Sequence, residues 1–363
     1  MRGRTIVQLT MGCALVLARV GFAPTATPKR TALRAHLGAA ARCHEAAPVR
    51  LPPYPWPLWP FDRQHAIRGY FGDPRSVIYG PQRGTFSFHN GVDIVGWPGN
   101  RVYAVVSGHV LSRVGDEIII RSPHGRRFQY AHVRPRVRIG QYVAASRTIL
   151  GYLLPRWDHV HLSEILQGCA VNPLAPGHLE PYVDKTRPRV LSITFTSPDG
   201  TTLPPSRLHG EVEMVAQALD EPALPASGVW RRMPVTPARV VWAIQTLRGR
   251  LVEAGVTADF RETEPSQNMF CAVYAPGTLQ NFASDDGYYR WGMAGRYRFR
   301  LVPGYLDTGR LRNGAYTVTV SASDTVGNTG TETVTVHVWN HRRVRIVRPP
   351  FDWRCRPRTL ESR

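Results

Sequence analysis

The sequence has no C-x-x-C pair. Its five cysteines, Cys13, Cys43, Cys169, Cys271 and Cys355, stand far apart, which argues against a structural zinc knuckle. Past the N-terminus no stretch reaches about 18 apolar residues, so no transmembrane span is expected after the leader. From Ala66 to about Asn172 no segment holds a helical period, so helices are not expected there. Acidic residues are scarce: 26 Asp and Glu stand against 46 Lys and Arg, for a net charge of +20 carried mostly by arginine. Such an excess draws anionic partners: nucleic acid, acidic lipid or an anionic cell-wall polymer. Arginine enrichment can equally reflect genome composition, with the charge spread over solvated faces. No recognition motif or aromatic stacking array accompanies the charge, so nucleic acid is not an expected partner.

What is present suggests export. Met1-Arg2-Gly3-Arg4 and the apolar run from Thr5 to Leu17 read as the basic and hydrophobic regions of a secretory leader, residues 1–26. Arg19 interrupts the pattern, and the following small residues offer no clean cleavage site. An exported protein is expected in the cell envelope, periplasmic or extracellular. Loss of Cys13 with the leader leaves cysteines that can pair in an oxidising compartment, in any of three connectivities.

Residues 27–61 comprise a polar linker and a stiff segment in which Pro52, Pro53, Pro55, Pro57 and Pro60 interleave with Tyr54, Trp56 and Trp59. That segment is expected to pack across its own domain. Residues 62–186 then read as strands separated by Gly and Pro, among them Glu117-Ile118-Ile119-Ile120-Arg121 and Arg127-Phe128-Gln129-Tyr130-Ala131-His132. Residues 187–345 alternate again, as in Tyr316-Thr317-Val318-Thr319-Val320. About seven strands over roughly 150 residues argue a β-sandwich. The fold class is therefore all-β: a compact antiparallel domain, then a sandwich, then a basic tail at 346–363.

Histidines mark the ends and the middle of the first domain. His89-Asn90-Gly91-Val92-Asp93 is an H-x-x-x-D pair, His159-Val160-His161 an H-x-H pair, and Tyr130-Ala131-His132 lies between them. Zinc accepts imidazole and carboxylate ligands, and a catalytic zinc takes three of them plus an open position. Two histidines are then left for proton transfer. Residues two apart in a strand share a face, so His159 and His161 project together if Asp158 to Glu164 is a strand. Gly91 would let the backbone fold His89 and Asp93 onto one ion. His132 reaches the site only if the sheet brings it there. His109 and His124 read as structural or exposed. Glu164 falls on the face opposite His161, which favours a structural role.

These motifs, with Ala104-Val105-Val106-Ser107-Gly108-His109-Val110, Val137-x-x-Gly140-x-x-Val143 and Ile149-Leu150-Gly151, resemble the lysostaphin and LytM-type zinc endopeptidases, the β-lytic family of peptidoglycan hydrolases. The resemblance covers residues 66 to about 173. It implies a compact antiparallel β domain of the duplicated hybrid motif type, with an open groove across the sheet. It implies His89, Asp93 and His161 as ligands of one Zn2+. It implies His132 and His159 as the catalytic pair flanking the zinc's water and the tetrahedral intermediate. Trp157-Asp158 departs from the Gly-rich approach common before the H-x-H. The second domain resembles bacterial immunoglobulin-like modules in general pattern only, and reads as a wall- or partner-binding module or a spacer.

The function implied is hydrolysis of peptide bonds in peptidoglycan cross-links or stem peptides, with anionic wall polymers as further partners. Two alternatives stand beside it: a non-catalytic wall-binding regulator on the same domain, and a secreted peptidase acting on proteins. Either the linker or the Pro-rich 51–60 stretch could plug the groove of a latent enzyme.

Overall fold

Ile118 and Ile120 are wholly buried while Glu117 and Arg121 are exposed. This period-two alternation recurs through most of the chain and makes it a β protein. The computed structural model describes residues 51–76, 86–231, 233–278 and 295–340. The leader, the linker to residue 50 and the basic tail lie outside the described residues.

The first half is built on one antiparallel sheet. Its strands are β1 (Ile67–Gly69), β2 (Val92–Val95), β3 (Gly108–Val114), β4 (Glu117–Arg121), β5 (Arg127–Ala131), β6 (Tyr142–Val143), β7 (His159–Leu166) and β8 (Cys169–Val171). Their spatial order is β1-β2-β7-β5-β4-β3-β6, with β8 paired to β7. A smaller sheet joins Arg101–Tyr103, Ile149–Leu153 and Val133–Pro135. Among the described residues, no helix is long and apolar enough to cross a membrane.

The back of the large sheet carries Val92, Ile94, Phe128, Tyr130, Val160 and Leu162, all buried. The Pro-rich segment joins this core. Trp56 is wholly buried and donates its Nε1–H to the Pro181 carbonyl at 2.9 Å. Tyr54 pairs with Leu179 and donates its hydroxyl to Glu164 at 2.8 Å. Glu164 is wholly buried and also meets Arg126 and His178, each at 2.8 Å. Glu164 is thus structural. Residues 51–60 do not plug a groove: these contacts hold them on the face of β7 opposite His159 and His161. Residues 27–50 lie outside the described residues.

The second half contains two antiparallel four-stranded sheets. One orders Arg189–Thr196, Glu211–Leu219 and Arg298–Arg300, with Leu306–Asp307 also on the second of these. The other orders Leu251–Asp259, Arg239–Thr246, Gly314–Ser323 and Thr329–Val338. The hairpin of Arg239–Thr246 and Leu251–Asp259 is not evident from sequence. Its first strand buries Val240, Trp242 and Ile244, but the second is largely exposed. Gly255 lies opposite Trp242, where an added Cβ would meet the indole Nε1 at 2.8 Å.

The halves share their packing. Phe71 and Phe88 belong to the core of the second half, and Val235 to the core of the first. Asp73, wholly buried, accepts the Thr236 N–H at 2.8 Å. Cys169 and Cys271 are each disulfide-bonded.

Candidate metal centre

β7 lies between β2 and β5, with His161 opposite both Asp93 and Ala131. Directly paired residues share a face of the sheet, so the Asp93 carboxylate and the His161 imidazole come together from neighbouring strands. His159 joins them by the alternation expected from sequence. His89 follows the strand Phe86–Phe88 and is fixed by two backbone bonds to the Gly72–Asp73 turn, each of 2.8 Å. Gly91 serves close approach: a Cβ there would meet the Leu162 carbonyl at 2.4 Å and His161 at 2.9 Å.

Three donor atoms converge. His89 Nε2 lies 2.9 Å from His161 Nδ1, and Asp93 Oδ1 lies 3.2 Å from each. Nitrogen and oxygen ligands about 2.0–2.1 Å from a tetrahedral zinc stand roughly 3.3 Å apart, close to this spacing. Hydrogen bonding fixes the protons. His89 Nδ1 faces the Tyr70 carbonyl at 2.8 Å and must donate to it, which leaves Nε2 bare. His161 Nε2 faces Ser163 Oγ at 2.8 Å, while that hydroxyl donates to Asn90 Oδ1 at 3.5 Å. The serine can thus accept from His161 Nε2, which turns Nδ1 toward His89 and Asp93. Two bare nitrogens and a carboxylate oxygen aimed at one point repel unless a cation lies between them. The donor set fits a zinc ion with an open fourth position.

The electrostatics agree. Burial, assisted by the Arg75 guanidinium, pushes His89 down to about 3, so its imidazole stays neutral. Burial alone would raise Asp93, but the Arg75 guanidinium beside it outweighs this and holds the carboxyl well below its ordinary range. Arg75 Nη2 grips Asp93 Oδ2 at 2.9 Å, which turns Oδ1 toward the imidazoles.

His159 and His132 stand beside this point. His159 is buried, with Nε2 at 3.5 Å from Asp93 Oδ1 and Nδ1 at 3.1 Å from Asp158 Oδ1. His132 has a left-handed backbone, φ 67°, which turns its ring out of the end of β5. The ring stacks on Trp157 with centroids 3.8 Å apart and meets His159 edge-on at 4.7 Å. Burial, with the nearby His159, lowers His132 to about 4. Burial also lowers His159. The hydrogen bond from His159 holds Asp158 down at about 2, so it is a carboxylate.

All five residues singled out from sequence are thus brought together. Several neighbours were not foreseen. Ser163 was legible, since it continues the i, i+2 face of His159 and His161. Arg75 and Arg68 carry no local signal. Arg68 Nε lies 3.3 Å from Asp158 and 3.0 Å from His159, and its guanidinium rests 4.2 Å above the ring of Trp230. Trp230 comes from the second half and donates its indole N–H to Asp158.

No protein-family model matches the chain, and no curated protein does. Solved structures similar to it include a zinc-containing peptidase from Vibrio cholerae, at 23% identity over 32% of this chain and 37% of that one, TM-score 0.26. A mutant catalytic domain of the prophage-encoded M23 protein EnpA from Enterococcus faecalis is also similar, at 23% identity over 36% and 99%, TM-score 0.25. So is a chain of the SpoIIQ–SpoIIIAH pore-forming complex, at 19% over 34% and 89%, TM-score 0.27. The chain spans little more than a third of the Vibrio peptidase's length.

Proposed function

We propose that residues 62–186 form a zinc-dependent endopeptidase of the lysostaphin and LytM kind, which hydrolyses peptide bonds in peptidoglycan cross-links or stem peptides. The observation that carries this reading is the meeting of His89 Nε2, Asp93 Oδ1 and His161 Nδ1 within hydrogen-bond distance of one another, a group able to hold one metal ion. When bound there, zinc supplies Lewis acidity toward a scissile carbonyl and lowers the pKa of a water to about 7.

The chain's own residues supply the rest. His159, buried between the Asp158 carboxylate at 3.1 Å and Asp93 at 3.5 Å, is the candidate base for the attacking water. His132 is held by its stack on Trp157 at the edge of His159, in position to hand a proton to the leaving amine. Arg68 sets a permanent positive charge beside the same imidazole. The net charge of +20 favours an anionic wall as the setting of the reaction, in keeping with an exported protein. We read the second half as an immunoglobulin-like module for the wall or a partner.

The test is bound zinc and release of new amino termini from purified sacculi, for the wild type and His161→Ala. The expected result is one zinc per chain and digestion by the wild type, with both lost in the variant. Sacculi left intact by the wild type as by the variant would leave a non-catalytic wall-binding module. Digestion of unrelated proteins instead of sacculi would leave a general secreted peptidase.

A further inference from the structure

The small sheet of Arg101–Tyr103, Ile149–Leu153 and Val133–Pro135 has one buried face and one open face. Val102, Val133 and Leu153 point into the core. On the other face Tyr152 lies directly opposite both Arg101 and Arg134, and directly paired residues share a face. Arg136 continues the ladder, its N–H bonded to the Leu150 carbonyl at 2.7 Å, and its guanidinium lies 5.4 Å over the Tyr152 ring. Three exposed arginines thus surround one half-buried tyrosine. Strand spacing sets Arg101 and Arg134 about 10 Å apart across the sheet, and Arg134 and Arg136 about 7 Å apart along it.

Among the described residues, no carboxylate pairs with any of the three. Like charges on neighbouring strands repel, so the face is short of anions. Guanidinium groups bind phosphate in a bidentate fork. Their spread calls for a ligand with repeated charge, since a single small anion would satisfy one arginine and leave the others. None of the strongly exposed large apolar side chains lies on these three strands, which disfavours a lipid surface. Bases of a nucleic acid would need open rings to stack on, yet Arg136 covers Tyr152 and Phe61 packs edge-on against Tyr103.

The face also leads to the metal centre. Strand Ile149–Leu153 runs into a turn in which Leu154 N–H donates to the His132 carbonyl and Trp157 N–H to the Leu154 carbonyl, each at 3.0 Å. Trp157 stacks on His132, and the exposed Arg156 stands 5.6 Å over the Trp157 ring. Positive charge therefore extends from Arg136 to the edge of His132.

We propose that this face is a docking strip for an anionic wall polymer of phosphodiester-linked units, held by Arg101, Arg134 and Arg136 and running toward His132. The choice of a wall polymer rests on the wall-peptidase reading; the basic face itself does not. The strip would keep the protein on the wall while peptides pass through the metal centre.

The experiment titrates a synthetic glycerol phosphate oligomer into the full chain at several salt concentrations. It compares the wild type with Arg101→Gln/Arg134→Gln/Arg136→Gln, and with Arg207→Gln/Arg248→Gln/Arg250→Gln. The second set removes the same charge from exposed positions of the other half. The strip variant should bind roughly 10- to 100-fold more weakly, with a log–log salt slope smaller by about 2. The comparison variant should stay within about threefold of the wild type. Melting temperature and zinc content should be unchanged in both, and Arg134→Glu alone should weaken binding in the same direction.

Equal weakening by the two triple variants would overturn the proposal, since the charge would then act diffusely. So would a wild type that does not bind the oligomer. Single-stranded DNA or phosphatidylglycerol vesicles that lose binding in the strip variant while the oligomer does not would give the face to another partner. His161→Ala should bind the oligomer as the wild type does. Binding through the strip by a chain that releases no amino termini from sacculi would sustain the docking face and defeat the peptidase reading instead.

Discussion

Ser163 Oγ lies 2.8 Å from His161 Nε2, two residues along the same strand. The strand's own period makes this contact, and it leaves His161 Nδ1 as the metal-facing nitrogen. Removing the acceptor frees the ring to turn and to change tautomer. Ser163→Ala is expected to weaken zinc binding roughly 10- to 100-fold, read by competition with a chelating dye, while thermal stability of the metal-free protein changes little. Unchanged affinity would mean that the serine does not orient the ligand.

Arg75 performs the matching task for Asp93 from outside the sheet. Its guanidinium meets Oδ2 at 2.9 Å, and Gly69 leaves the room for this pair: a Cβ there would lie 2.6 Å from the carboxylate. Arg75→Ala strands a buried carboxylate and should cost the metal-free protein on the order of 3 kcal/mol in urea unfolding. Zinc should restore part of that loss, since the ion supplies the missing positive charge.

The Pro-rich segment is a test of where the core ends. Trp56 is wholly buried with its indole N–H bonded, so Trp56→Ala should cost about 3–5 kcal/mol. A chain beginning at residue 62 should melt earlier and cleave no faster than one beginning at 51. Faster cleavage would mean that the segment obstructs the groove after all.

Asp220 gives the molecule a signature in pH. Burial, with Asp184 and Asp324 alongside and against the Glu221 N–H, pushes its carboxyl from 3.8 to about 8. The folded state therefore binds this proton more tightly than the unfolded chain. Stability from this group is complete at the acid end and is lost as pH rises from about 4 to 8, by on the order of 1.4 kcal/mol for each unit. Asp220→Asn removes that slope. The melting temperature of the wild type should fall relative to the variant between pH 5 and 8, and a difference that stays flat would contradict the assignment.

The convergence of the histidines was legible because strand periodicity is local. His159-x-His161 needs only alternation to face one way, and Glu164 needs only the same rule to face the other. The role of Gly91 was half legible: its position mattered, but through the close passage of β7, which lies some seventy residues away and has no trace beside the glycine itself. Arg68, Arg75 and Trp230 were hidden for the same reason. Each meets the site across a turn or from the other half of the chain, and nothing in their flanking residues marks them out. The Leu251–Asp259 strand escaped because its exposed side chains lack the apolar rhythm that reveals a core strand.

Phe88 precedes His89 and Phe71 precedes the Gly72–Asp73 turn that holds it, yet both bury their rings in the distal core. The first half therefore cannot be lifted out as a cassette. Cut near residue 187, it would carry two naked aromatic faces beside His89, inviting clumping and loosening the loop that holds that imidazole. For this lineage, recombination that swaps the distal module has to swap a matching aromatic socket with it.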